Sequence, residues 1–364
     1  MTNPFLSLDP TNVLEVTKAL INTESLSRSE DALCSALHEW IAQLRPDARM
    51  TRLSNTLIVH IGDHDADFPV VLAGHLDTVP AAQYEGALNN VARVVDEKLF
   101  GLGSADMKSG VAVMIALLSD ISIASTFVFY EAEEIADKYN GLRLIVEQRP
   151  ELVAGKWAIL LEPTNGGLEM GCQGALTVKA SFAGQRAHSA RPWMGVNAIH
   201  KSIQTLAGAI EASTVQSELE VEGLRYTSTL QITMIEGGVA ANVIPDVCDV
   251  TINHRYTPDV SPDEAENYLR ELCSDADEVT VGSNSAGAMP AFDHPLVAFA
   301  KEQGREIVPK VAWTDVARFY ALGIPAVNCG PGDAELCHRA DEHIVISKLD
   351  ETYKFLKSFI DTQK

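Results

Sequence analysis

Basic residues are scarce in this sequence. Its 364 residues hold 28 Lys and Arg against 50 Asp and Glu, a formal charge of −22. Nucleic-acid binding needs cations clustered against phosphate, so this composition argues against it. Long apolar runs are missing as well: no stretch of about 18 apolar residues occurs, and no segment is expected to span a membrane. The opening MTNPFLSLDPTN has neither the basic start nor the apolar core of a secretory leader. The expected location is therefore the cytoplasm. Six cysteines (Cys34, Cys172, Cys248, Cys273, Cys329 and Cys337) are scattered without C-x-x-C spacing. That spacing argues against a thiolate metal site or a disulfide framework and leaves free thiols as the expectation.

What the chain does have is apolar content, 46%, over a length that suggests two domains or one domain with a large insertion. The first part alternates amphipathic helices (LEVTKAL, DALCSALHEWIAQL) with short apolar strands (NTLIVHI, VVLAG, TFVFY, WAILL). MKSGVAVMIALLSDI, apolar almost all round, predicts a buried helix from Met107. This alternation predicts an α/β fold with a mostly parallel sheet. From about residue 175 the pattern changes to half-exposed strands (LTVKASFAG, TLQITMIEGG, DVTINHRY), with helices near 195–212 and 262–273. VGSNSAGAMP, rich in Gly, Ser and Ala, reads as the linker out of this module. Helix and strand then return, with a final helix near 347–361. The expected organisation is a discontinuous catalytic domain, 1–174 and 287–364, carrying an inserted α+β domain, 175–286.

Open α/β sheets place ligands at the carboxyl ends of their strands. Three predicted strands end in metal-ligand residue types: VVLAG runs into His75 and Asp77, TFVFY into Glu131, Glu133 and Glu134, and WAILL into Glu162. Asp106 sits in the Gly-rich turn GLGSADMKSG, and His338 lies near the far end in ELCHRADEH. Each has a bland alternative; Asp106, for one, also suits a helix N-cap. Strand ends on one sheet edge can meet, however, and together these groups have the composition of a two-metal hydrolytic centre. Imidazole and carboxylate without thiolate suit zinc, with cobalt or manganese as alternatives. Without cations, carboxylates gathered so closely would repel each other severely. In a strand-like segment His75 and Asp77 point to the same side, so Asp77 can take the second ring N–H of His75. The adjacent Glu133 and Glu134 point differently, which lets one bind metal while the other acts as a base towards water.

GHLDTVP, GLGSADMKSG, YEAEE, LLEPT, GCQGALTVKASFAGQRAHSARPW, GGVAANVIPD and CHRADEH stand in the order and spacing of a known family. The chain resembles, over nearly its whole length, the dinuclear zinc peptidases and deacylases, the group of carboxypeptidase G, aminoacylase and acetylornithine deacetylase. GCQG, RAHSARPW, WTDVARF and NCGPGD are most similar to its actinobacterial-type succinyl-diaminopimelate desuccinylases. The resemblance implies that His75, Asp106 and Glu162 hold one metal ion and Asp106, Glu134 and His338 a second. It makes Glu133 the general base, Asp77 the residue that orients His75, and the Asp106–Met107 peptide cis. It also implies that the inserted domain is a lid through which a homodimer forms, and that His188 reaches the partner's site to stabilise an oxyanion. Asn242 and Arg255 match substrate-contacting positions.

The substrate implied is N-succinyl-LL-2,6-diaminopimelate, with a related N-acyl amino acid or a small peptide as the alternative. A substrate with three carboxylates needs local guanidinium groups in so acidic a protein. Arg255, Arg318 and Arg191 are the candidates, and each also suits an exposed surface position. GCQG and WTDVARF depart from turns found in many members, which bears on the substrate and leaves the metal chemistry untouched.

Overall fold

A computed structural model describes residues 3–62, 70–214 and 217–363. The chain divides into two compact units, the first comprising Met1–Met170, Ala291–Val308 and Arg318–Lys364, the second Gly171–Pro290 and Pro309–Ala317.

The first unit is built on an eight-stranded sheet in the order Arg49–Leu53, Thr56–Ile61, Ser125–Tyr130, Val70–His75, Trp157–Pro163, Ala326–Gly330, Leu168–Met170, Ile307–Pro309. The four strands from Ser125–Tyr130 to Ala326–Gly330 run parallel. Their flanks, Thr56–Ile61 and Leu168–Met170, pair antiparallel. All residues of the four parallel strands are buried. Strands covered on both faces need continuous apolar runs, which is why TFVFY and WAILL do not alternate. The helix Lys108–Asp120 is buried from Lys108 to Leu118 and packs on this sheet. Gly110 sets how close it comes, since a Cβ there would lie 2.3 Å from the carbonyl oxygen of Leu161.

The second unit holds a four-stranded antiparallel sheet in the order Thr229–Gly237, Val247–Tyr256, Gly174–Ala183, Glu278–Ser285. Here burial alternates along Gly174–Ala183 and Val247–Tyr256. The inward residues Leu176, Val178, Ala180, Phe182, Val250 and Ile252 form a core with Ala209 and Leu269 of the helices Ala198–Thr214 and Pro262–Leu272. One expected element differs: VGSNS is not linker but the end of the strand Glu278–Ser285, paired with Gly174–Ala183 through a register shift at Thr177/Val178. The neighbouring strand supplies the hydrogen bonds that its poor strand propensity does not anticipate.

Among the described residues no helix is long and apolar enough to cross a membrane.

His294 is a buried titratable group of the first unit, 1% exposed at the N-terminus of Pro295–Glu302. Its Nδ1 accepts from the Leu296 N–H, and Nε2 donates to the Ala158 carbonyl, both at 3.1 Å. These bonds require the neutral ring, and burial pushes its pKa down from 6.5 to about 3. The unfolded chain therefore takes up this proton first as pH falls. The stabilisation is complete above pH 6.5 and is lost progressively towards pH 3, at about 1.4 kcal/mol per pH unit. His294→Asn keeps an acceptor at the helix cap and removes the titration. Its urea midpoint is expected to fall less between pH 7 and pH 5 than that of the unaltered chain.

Candidate metal centre

Parallel pairing puts His75 opposite Tyr130, so the ends of Val70–His75 and Ser125–Tyr130 are level. Glu162 lies within the next strand, Trp157–Pro163. His75 is 1% exposed, with Nε2 3.2 Å from Asp106 Oδ1. The other oxygen of Asp106, Oδ2, is 3.5 Å from His338 Nε2, which in turn lies 3.0 Å from Glu134. Each oxygen of one carboxylate thus faces a different imidazole. Donor atoms of His75, Asp106 and Glu162 lie within 4.8 Å of one another, and so do those of Asp106, Glu134 and His338.

Asp106 is held in place by main-chain geometry. Met107, not Asp106, occupies the N-cap position of Lys108–Asp120, so the Asp106 carboxylate is not spent on capping. The Asp106–Met107 peptide is cis. Glu342 Oε1 accepts the N–H groups of Ala105 at 2.8 Å and Asp106 at 3.1 Å. Gly332 of NCGPGD lies against the same turn, where a Cβ would sit 2.1 Å from the Ala105 oxygen. Lys108, 2% exposed, donates to the carbonyls of Leu20 at 2.9 Å and Thr23 at 2.8 Å.

The EAEE turn has its own anchors. Ala132 adopts φ 57° and donates its N–H to Glu30 Oε1 at 3.0 Å. The left-handed step sends Glu131 away from the cluster, where its carboxylate accepts from Ser54 Oγ at 3.1 Å. It also brings the N–H groups of Glu133 and Glu134 to the Asp77 carboxylate at 3.0 and 3.2 Å. Ser27 Oγ donates to that same carboxylate at 2.6 Å. Asp77 reaches the ring of His75 through two oxygens. Nδ1 lies 3.0 Å from the Asp77 main-chain carbonyl and 3.5 Å from its carboxylate, which also serves the EAEE turn.

Electrostatics fit cations at this place. Burial opposes charge on His75, yet its hydrogen bonds to Asp106 and Asp77 raise its pKa well above 6.5. Asp106 and Glu134 raise His338 to about 10. Burial alone would raise Asp106, but the two imidazoles hold it below the usual carboxylate range. Protons on two imidazoles thus balance the carboxylates, and two divalent ions would release those protons and take over the balance. Donors of this kind suit zinc, cobalt or manganese.

The remaining sequence-predicted residues belong to both units. Arg318 of the first unit is ion-paired with Asp137, which also pairs with Arg143 at 2.7 Å. In the second unit Ala187–His188 pairs with Val243–Ile244, and the Ser189 N–H donates to the Asn242 carbonyl at 2.9 Å. His188 and Asn242 are therefore neighbours, with Arg191 bonded through its N–H to the His188 carbonyl. Arg255 is half-buried, with Nε donating to Asn253 Oδ1 at 3.2 Å. Sequence reasoning missed Glu30, Ser27, Lys108 and Glu342. Glu342 carried a faint signal as the second acid of CHRADEH, whereas Glu30 reads only as an acid preceding a helix.

The model of peptidase family M20/M25/M40 matches residues 71–362. The chain belongs to this family. Among family relatives, a Mycobacterium tuberculosis protein named as a succinyl-diaminopimelate desuccinylase is 37% identical, over 95% of this chain and 97% of its own length. The succinyl-diaminopimelate desuccinylase of Corynebacterium glutamicum is 35% identical over 95% of each chain. The crystal structure of an M20 family metallo-carboxypeptidase from Sulfolobus solfataricus has the same fold, with TM-score 0.78, 15% identity and coverage of 97% of this chain and 99% of that one.

Asp77 joins the His75 strand to the EAEE turn, so Asp77→Ala is expected to weaken zinc binding about 10- to 100-fold in competition with a chelator. Unaltered zinc affinity would remove Asp77 from the support of the site.

Proposed function

We propose that this chain hydrolyses the succinyl amide of N-succinyl-LL-2,6-diaminopimelate, giving succinate and LL-2,6-diaminopimelate in the cytoplasm. What carries the reading is near-full-length identity to desuccinylases in a chain whose Asp106 stands between two imidazole–carboxylate groups. In this reading His75, Asp106 and Glu162 hold one divalent ion, zinc first among the candidates, and Asp106, Glu134 and His338 hold the other. Bound ions supply Lewis acidity towards the amide carbonyl and acidify water. Glu133 takes the proton from the attacking water and delivers it to the departing amine. Asp77 fixes the turn that carries Glu133 and, with its own carbonyl, the ring of His75. The inserted domain, expected at 175–286, serves as lid and dimerisation domain, and His188 donates to the developing oxyanion of the partner's substrate.

Substrate carboxylates are assigned to Arg255, Arg191 and Arg318, with Asn242 as a polar contact. Arg318 meets a carboxylate only by sharing or leaving Asp137. Dimerisation is supported by an apolar stripe on the helix Ala198–Thr214, where Ile199, Ile203 and Ile210 are 36%, 55% and 60% exposed. It is supported too by the edge position of Thr229–Gly237, since an unpaired edge invites a second copy.

Glu133→Ala is expected to retain its metal by elemental analysis and to lose roughly 10²- to 10⁴-fold in kcat. Turnover at the unaltered rate would refute the base assignment. The unaltered enzyme should cleave succinyl-diaminopimelate in preference to acetylornithine and a dipeptide panel; preference for either of the others shifts the substrate and keeps the chemistry. Ile203→Glu is expected to turn a dimer into a monomer in sedimentation analysis and to depress turnover with it, because His188 would lose its partner.

A further inference from the structure

Four consecutive N–H groups of the turn that carries Glu133 each have a side-chain acceptor. Glu131 donates to Thr56 Oγ1 at 3.2 Å, Ala132 to Glu30 Oε1 at 3.0 Å, and Glu133 and Glu134 to the Asp77 carboxylate. Asp77 also faces His75, and Glu134 belongs to one of the two donor groups. Glu30 stands apart. Its Oε1 accepts main-chain N–H groups, those of Ala132 and, at 2.9 Å, Arg28, so its hold on the turn bypasses the metal donors.

The place of Glu30 in the sequence does not explain that contact. It occupies the N-cap position of the helix Asp31–Leu44, yet makes no side-chain cap hydrogen bond. The carboxylate instead crosses to a segment 102 residues away while fully buried. Burying a carboxylate is costly, and N–H groups that donate to it offset the cost. Its helix is a firm base, because Leu33, Cys34, Leu37, Trp40 and Ile41 are buried. Residues just before it grip the neighbouring loop as well: Ser25 Oγ donates to the Leu76 carbonyl at 2.7 Å, and Ser27 Oγ to Asp77.

Ala132 is where this support matters. Its φ of 57° lies in the left-handed region, which a residue with a Cβ enters at a cost. Main-chain direction at Ala132 sets where the next side chain, Glu133, leaves the turn. Any other direction would strip the buried Ala132 N–H of its acceptor. Ala132 is 2% exposed, so water is a poor substitute for Glu30.

We propose that Glu30 is a positioning residue for proton transfer: its carboxylate holds Ala132 in the left-handed conformation and so aims Glu133 at the water it deprotonates. This role rests on the assignment of Glu133 as general base. Reach and charge can be separated by two substitutions. Glu30→Asp keeps the charge, shortens the reach and lets the carboxylate cap its own helix, which favours the folded state. Glu30→Gln keeps the reach of Oε1 and removes the charge; the other oxygen meets Asn55 Nδ2 at 3.5 Å, a long contact.

In folded protein with full metal content by elemental analysis, Glu30→Asp is expected to lower kcat about 10- to 100-fold. KM for the best-cleaved substrate should change less than about twofold. Glu30→Gln is expected to stay within about threefold of the unaltered kcat. In a Glu133→Ala background, Glu30→Asp should change the residual rate less than about twofold, because the group it aims is gone. Unaltered turnover by Glu30→Asp, an equal loss in Glu30→Gln, loss of metal, or a full further loss in the Glu133→Ala background would each overturn the role of Glu30. Full turnover by Glu133→Ala would remove the base, and its positioning residue with it, so the two failures are distinguishable.

Discussion

The position of one carboxylate governs the sheet edge. Asp106 presents an oxygen to each of two imidazoles, one from residue 75 and one from residue 338, and neither triad of donors is complete without it. Its placement depends in turn on Glu342, which receives two consecutive N–H groups of the turn while 1% exposed. Burial raises the pKa of Glu342 to about 7, against the pull of those N–H groups. An uncapped helix start, a glycine with no room for a methyl group and an inward lysine close around the same turn. The structure therefore invests several buried polar groups in fixing one side chain, an arrangement suited to a site that must be formed before its ligands arrive.

The glutamate pair is fixed by the same logic with different parts. A bare strand end would let two adjacent acids wander in solvent. Here the left-handed Ala132, the Glu30 carboxylate behind it and the Asp77 carboxylate beneath the next two N–H groups set the turn rigidly. Two elements that diverge in sequence, the His75 strand and the Tyr130 strand, are thus tied through a single aspartate. Its main-chain carbonyl serves the first element, and its carboxylate holds the second while still facing the ring of His75.

Most of the first unit was legible because its signals are local. TFVFY and WAILL could not be exposed strands, and MKSGVAVMIALLSDI could not be a surface helix. The cluster was legible for a related reason: a parallel sheet converts separate strand ends into one edge, so His75, Glu134 and Glu162 are neighbours by topology. What could not be read depends on contacts between distant segments. The partner of Asp106's turn lies more than two hundred residues away at Glu342, the acid behind the EAEE turn is Glu30, and the claim of Asp137 on Arg318 shows in no spacing. VGSNS was misread for the same cause, since its strand character comes from the neighbour it pairs with.

The central sheet takes its strand Ala326–Gly330 from far down the chain and sets it beside Trp157–Pro163. His338 follows that late strand. On the ribosome, then, the centre cannot be assembled in the order in which its parts emerge. His75, Asp106, Glu134 and Glu162 are all made before the second unit, and the nascent chain must carry a half-built, strongly acidic cluster through the synthesis of that whole unit. Any product that stops short of residue 338 retains every carboxylate of the cluster and lacks the second imidazole that balances them.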